Sequence, residues 1–409
     1  MKKITFFLLL SFVCSLTFAQ QDNKITIGVI DSVQSKILNE NRKVWVYVPT
    51  SKNDGVKQRY PVIYILDGNA LFSSVVALVQ QFGETDWNWI LPKMIVVGIP
   101  STNRRRDLTP YHVEADPPFF DKEGGKVTGG GENFVSFLKN ELIPHIDSLY
   151  PTQPHKILIG HSFGGLTAMN ILANHTSLFN SFICIDPSMW WDHLHFLEAT
   201  KKALTQDRLS GKSLYVSLSG RINGDIDTGK LRKDTLSDAG RHFRGILELN
   251  DFLKSQPQNG LRYEFKFYKN DNHMSLPFIT EHDGLRFIFK NYLFSLTDQE
   301  ESDSTFNVAE KLKKHFQKVS QMLGYTMAPP VDMVSQYGNS FIGEKQFIKA
   351  WQLFQMNIEN YPNTYIVYNG YGDYFIAISD KAKAAEYFKK ALLLKENPES
   401  RKKLNELAK

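Results

Sequence analysis

Cysteine is scarce in this chain. Only two of its 409 residues are cysteine, Cys14 and Cys184, and Cys14 lies in the apolar start of the chain. If that start is removed, Cys184 stands alone and no intramolecular disulfide can form. It sits in Phe182-Ile183-Cys184-Ile185, which reads as a buried strand, so a small apolar core residue is expected rather than a reactive thiol. Long apolar runs are lacking too. Ile4 to Phe18 is short for a membrane span and no stop-transfer flank follows it. With Lys2 and Lys3 before it and Thr17-Phe18-Ala19 at its end, it has the pattern of a secretory signal peptide cut after Ala19, which predicts a secreted or periplasmic protein. Phe12 and Val13 are poor residues before a lipidated cysteine, which argues against a lipoprotein anchor at Cys14. Excess charge is also missing. The net charge of +5 includes Lys2 and Lys3, and Arg104-Arg105-Arg106 is a short basic run, so nucleic acid is not an expected partner. Gly129-Gly130-Gly131 lacks the G-x-x-x-x-G-K-[ST] layout of a phosphate-binding loop, so no nucleotide site is read there.

What the chain has is apolar residues, 42% of the total, enough for a sizeable core and two or more domains. Residues 24–49 alternate as strands do. Tyr60 to Leu66, Met94 to Ile99, Ile157 to Gly160, Phe182 to Ile185 and Leu214 to Leu218 are nearly continuous apolar runs separated by helical patterns. That predicts an α/β fold with a mostly parallel central sheet and helices on both faces. In such sheets catalytic groups gather at the carboxyl ends of the strands. Asp298 to Ser304 is polar and acidic and reads as a linker. Beyond it the pattern is helical and repetitive. Ala350 and Ala384 are 34 residues apart, as are Phe354 and Phe388, and Pro362 and Pro398 follow each block. This spacing predicts two tetratricopeptide-like units, too few for a free-standing array, which would pack on the α/β domain or on a protein partner. The expected division is a signal peptide over 1–19, an α/β domain over 20–297, a linker and connecting helix over 298–330, and helical repeats over 331–409.

The chemistry centres on Gly160-His161-Ser162-Phe163-Gly164. Lys156-Ile157-Leu158-Ile159 precedes it as a strand, and Gly165 to Ala173 follows it as a helix. Strand, sharp turn and helix form the setting of a nucleophile elbow, in which glycines relieve the crowding of the turn. A serine hydroxyl needs a general base and a group that orients the base. His273 is the expected base, in the turn Asn270 to Ser275 after a late strand. His161 is read as shaping the elbow, and His242 and His282, in helical patterns, as surface residues. The acid is expected in the loop after Leu214 to Leu218, as Asp227 with Asp225 as its rival and Asp234 as a weaker third. Backbone N–H groups of Phe163 and Asn69 are the candidates for holding an oxyanion. Trp190 and Trp191 could line a substrate pocket or serve as packing. Arg104 to Asp107 is read as a structural ion pair.

Several of these segments together resemble one family. Tyr64-Ile65-Leu66-Asp67-Gly68, Val96-Val97-Gly98-Ile99, Arg106-Asp107-Leu108-Thr109-Pro110, Gly160 to Gly165, Asp186-Pro187-Ser188 and Asn272-His273 are similar to the esterase family that includes esterase D, feruloyl esterases, enterobactin-type siderophore esterases and mycolyltransferases. Phe134 to Asp147 resembles the helix before the nucleophile strand. The resemblance spans about residues 24–295. It implies an α/β-hydrolase fold and hydrolysis of carboxylic esters through an acyl-enzyme, with no metal and no cofactor. Siderophores, acylated sugars and small esters all fall within it. The base motif departs from the family at Met274, where relatives often carry glycine. Two other functions stay open at this stage: a binding module whose repeat tail recruits a partner, and an acyltransferase.

Overall fold

The computed structural model describes residues 25–50, 58–85, 88–206, 209–221, 230, 233, 237–256 and 259–409. Its centre is an eight-stranded sheet in the order β1-β2-β4-β3-β5-β6-β7-β8. β1 (Val29–Ser35) and β2 (Glu40–Tyr47) form an antiparallel hairpin, and β2 runs antiparallel to β4 (Ile95–Ile99). From β4 onward every neighbour is parallel, through β3 (Tyr60–Leu66), β5 (Thr152–His161), β6 (Ser181–Ile185), β7 (Ser213–Arg221) and β8 (Arg262–Asn272). β3, β4 and β6 are buried along their whole length. That is why they read as continuous apolar runs: a parallel strand covered on both faces has no solvent side to alternate with. Cys184 is one of those buried residues, and burial pushes its thiol far up, as an apolar packing role requires.

Alternate side chains along each strand feed two separate cores. Val62, Tyr64, Leu158 and Phe182 face one layer, which holds helix α2 (Phe163–Asn174) and helix α3 (Asp238–Ser255). Ile63, Ile65, Ile157 and Ile183 face the other, which holds α1 (Gly68–Gly83) and α4 (Leu276–Ile288). The architecture is the α/β sheet expected from the strand pattern, of the α/β-hydrolase type that the family resemblance implies.

The C-terminal region is helical: α5 (Val308–Leu323), α6 (Val331–Gly343), α7 (Phe347–Asn360), α8 (Tyr365–Ala377), α9 (Lys381–Leu394) and α10 (Pro398–Leu407). Its apolar side continues the core layer of α1 and α4, from Leu91, Met94 and Tyr292 through Val308, Leu312 and Phe316 to Phe354 and Phe388. Lys349 is buried with them, its Nζ donating to the carbonyls of Glu300 at 2.8 Å and Glu301 at 2.6 Å. The 34-residue spacing has a geometric counterpart. A Cβ at Gly338 would lie 2.7 Å from the Phe354 ring, and one at Gly372 would lie 2.6 Å from the Phe388 ring. Each phenylalanine therefore lies against the bare backbone of a preceding helix, at equivalent places in two successive helix pairs. Phe354→Ala is expected to destabilise the protein by about 3–5 kcal/mol through the cavity it leaves, read as a lower midpoint in urea unfolding.

Candidate active site

The carboxyl ends of β3, β5, β6 and β8 converge on Ser162. β5 runs into the elbow, and α2 starts at the residue after the serine. Ser162 itself has φ 59° and ψ −112°, a conformation that a residue with a Cβ adopts at a cost and keeps only where its surroundings hold it. The surroundings here do so. Ser162 N–H donates to the Ile185 carbonyl at 2.9 Å, and the Ser162 carbonyl accepts from Leu166 N–H at 2.9 Å and Ser188 N–H at 3.1 Å. The flanking glycine is obligatory: a Cβ at Gly160 would sit 2.2 Å from the Gly164 carbonyl oxygen.

A second brace comes from the loop after β3. Arg104 Nε donates to both carboxylate oxygens of Asp67 at 3.0 Å, and its Nη2 donates to the His161 carbonyl at 3.1 Å. Ser101 Oγ donates to Asp67 as well, at 2.6 Å. The neighbouring Asp107 pairs with the buried Arg42 at 2.6 Å and with Arg106 at 2.7 Å. The 104–107 segment is thus a set of structural ion pairs that tie the hairpin and the β3 loop to the elbow, as read from the sequence.

His273 lies in the turn that follows β8, its ring centroid 4.4 Å from that of His161. Its Nδ1 is 2.8 Å from Oδ2 of Asp186. Asp186 is the residue after β6, with φ 44° and no exposed surface. Ser219, near the end of β7, donates to the same carboxylate twice, from its N–H at 3.1 Å and its Oγ at 2.7 Å. On His273, Asp186 therefore holds the position expected of Asp227 or Asp225. Those two, and Asp234, lie outside the described residues. Burial alone would raise the Asp186 carboxyl, but the charge of His242 and the charge and hydrogen bond of His273 overcome it and hold it well below the usual carboxylate range.

His242 is not the surface residue the helical pattern predicted. It lies on the inner side of α3, and its Nε2 comes within 3.3 Å of Asp186 Oδ1. His282 is partly exposed and pairs with Asp283 at 2.7 Å. His161 is buried in the elbow, where burial and then the neighbouring His273 push its imidazole down to about 4. It stays neutral at physiological pH. Asp186, His242 and His273 bring three donor atoms within 4.8 Å of one another. Because the Asp186 oxygens already accept from Ser219 and His273, the arrangement is a hydrogen-bonded acid–base set, not the open ligand shell that a metal needs.

Ser162 Oγ lies 3.4 Å from Ser188 Oγ. Among the described residues it makes no hydrogen bond to His273 in this conformation; such bonds are commonly long without substrate and tighten when it binds. Phe163 and Asn69 are in the first turns of α2 and α1, where backbone N–H groups have no acceptor within the helix. The tryptophans pack against other rings, the second of their two expected roles. Trp190 is stacked on Phe119 with centroids 3.6 Å apart and meets Phe163 at 5.9 Å, while Trp191 has no exposed surface and packs on Phe120. Their faces are taken by other rings, and Phe119 and Phe163 in turn carry the guanidinium groups of Arg241 and Arg104 over their rings, at 4.9 and 5.2 Å.

Residues 35–237 match the family described as Putative esterase. Ferri-bacillibactin esterase BesA of Bacillus subtilis is 25% identical over 276 residues, 65% of this chain and 91% of that protein. The crystal structure of an IroE-like serine hydrolase from Shewanella oneidensis superimposes with a TM-score of 0.69 at 25% identity, covering 81% of this chain and 99% of that one. An uncharacterised protein from Capnocytophaga ochracea, 20% identical, shares the fold over 93% of this chain and 99% of its own with a TM-score of 0.58. That match extends into the helical C-terminal region.

The two buried histidines of β5 set a pH dependence of stability. His155, like His161, is pushed down to about 4 by burial. Both bind a proton more readily in the unfolded chain, where the ordinary value is 6.5. Stability is then expected to fall as pH drops from about 6.5 towards 4. His155→Gln should flatten that slope in urea titrations run across this range.

Proposed function

From the premise that residues 35–237 belong to the esterase family, which makes the protein a carboxylic ester hydrolase, we propose a mechanism through Ser162, His273 and Asp186 with a siderophore ester as substrate. The observation that carries the reading is the buried Asp186 carboxylate on His273 Nδ1 at 2.8 Å, beside a serine held in a nucleophile elbow. Asp186 fixes the imidazole so that Nδ1 carries the proton and Nε2 is free to accept one.

Ser162 Oγ attacks the ester carbonyl carbon as His273 Nε2 takes the hydroxyl proton. The imidazolium that forms is stabilised by Asp186, which stays ionised. The carbonyl oxygen becomes an oxyanion and accepts from the N–H groups of Phe163 and Asn69. As the tetrahedral species collapses, the C–O bond to the alcohol breaks and His273 returns its proton to the leaving oxygen. Water then adds to the acyl-serine with His273 as base, releasing the acid and restoring Ser162. The siderophore substrate is supported by the likeness to BesA, which extends over 91% of that protein.

The finer assignments made from the sequence belong to the same reading. Residues 1–19 act as a signal peptide that sends the chain out of the cytoplasm. Residues 331–409 form two tetratricopeptide-like units that serve a protein partner, supported by the matched Gly338–Phe354 and Gly372–Phe388 contacts.

Incubation of the mature chain with p-nitrophenyl acetate and with ferri-bacillibactin is expected to release p-nitrophenol and the opened siderophore. Ser162→Ala should reduce both rates by at least about a thousandfold and abolish labelling by a fluorophosphonate. Turnover by Ser162→Ala equal to that of the parent would refute the mechanism.

A further inference from the structure

We infer that His242 is a positioning residue of this site: it holds the second oxygen of Asp186 and so sets how strongly that carboxylate draws on His273. The inference rests on the triad reading above and deepens it.

Asp186 Oδ2 is occupied by His273 Nδ1 at 2.8 Å and Ser219 Oγ at 2.7 Å, and Oδ1 by Ser219 N–H at 3.1 Å. The remaining side of Oδ1 faces His242 Nε2 at 3.3 Å. That separation is one of charge attraction and orientation, not of a well-aligned hydrogen bond. Among the described residues the buried Nε2 of His242 has no hydrogen-bond partner, and the group it faces is Asp186. The His242 and His273 rings stand nearly perpendicular, at 86°, with centroids 5.8 Å apart. Two imidazoles thus flank one carboxylate, one on each oxygen.

Among the described residues, Arg241 and Arg104 near this pair are engaged elsewhere. Arg241, next to His242 on α3, is 2.7 Å from Asp116 and from His193 Nδ1. Arg104, from the loop after β4, is committed to Asp67 and the His161 carbonyl. His161, the third imidazole, packs on His273 and is kept neutral by burial.

Two consequences follow from the geometry. First, His242 adds a charge contact on Oδ1 to the Ser219 N–H bond already there, so the carboxylate is further restrained and Oδ2 stays aimed at Nδ1 while charge develops on His273. Second, an imidazole on Oδ1 draws negative charge from the carboxylate and weakens its pull on the His273 proton. A merely structural histidine would change stability and leave both properties alone.

The test compares His242→Leu, which removes the nitrogen, with His242→Gln, which returns an N–H at similar reach without a titratable ring. Active sites are counted with a fluorophosphonate, and kcat and KM for p-nitrophenyl acetate are measured from pH 5 to 9. His242→Leu is expected to lower kcat per titrated site about tenfold with KM within about twofold, and to move the acid limb of kcat/KM upward by about half a pH unit. His242→Gln should recover most of the kcat and keep the shifted limb. An acid limb and a kcat per site unchanged in both variants would overturn the inference, even if thermal stability fell. Ser162→Ala, assayed alongside, separates the two ideas. If it is inactive while the His242 variants behave as the parent, the inference fails and the triad stands. If it retains full turnover, the triad reading fails.

Discussion

One buried negative charge organises the catalytic edge of the sheet. A carboxylate with no exposed surface, such as Asp186, is tolerated only where charges and hydrogen bonds replace the water it has lost. Its partners here come from three different elements: Ser219 on β7, His273 after β8 and His242 on α3. Each was brought to this point by the strand or helix that carries it. The backbone at Asp186 turns through a left-handed φ of 44° while its N–H donates to the Ser217 carbonyl at 3.1 Å. Removing the charge would leave two imidazoles and two serine donors aimed at nothing.

The elbow depends on the same region. Ser162 keeps its strained φ because the Ile185 carbonyl, one residue before Asp186, accepts its N–H, and because Ser188 N–H, two residues after Asp186, donates to its carbonyl. Ser162 and Asp186 are therefore locked together by the short segment Ile185 to Ser188. Close approach of this segment to the elbow explains Gly165, where a Cβ would lie 2.9 Å from Pro187. On the other side the Asp67–Arg104 pair braces the His161 carbonyl. The site is built on strand ends, and strand ends are held by a core that the C-terminal helices extend. Loss of tail packing at Phe354 therefore acts on the layer that also covers α1 and α4.

The parallel strands and the elbow were legible in the sequence because burial on both faces writes an apolar run, and because a tight strand-to-helix turn demands glycine. The position of His273 at the edge of the sheet was legible because a polar turn follows a late strand there. The partner of His273 was less so. A search by loop composition favours the acidic stretch after β7, whereas the observed partner is a lone aspartate closing a strand of five buried residues. The available signal was Asp186 itself, a charged residue where an apolar run stops, followed by a proline that prevents the strand from continuing. His242 was misread because helical periodicity says which residues share a face, not which neighbour that face meets. Trp190 and Trp191 were placed at the correct end of the sheet, yet residue type could not reveal that Phe119 and Phe120 already cover them.

The most direct test of this account is the turnover of Asp186→Asn beside Asp227→Asn, each normalised to folded protein. If Asp186 orients His273, its variant loses about four orders of magnitude in kcat while Asp227→Asn stays near the parent. The reverse pattern would contradict the account, since the working carboxylate would then come from the loop after β7.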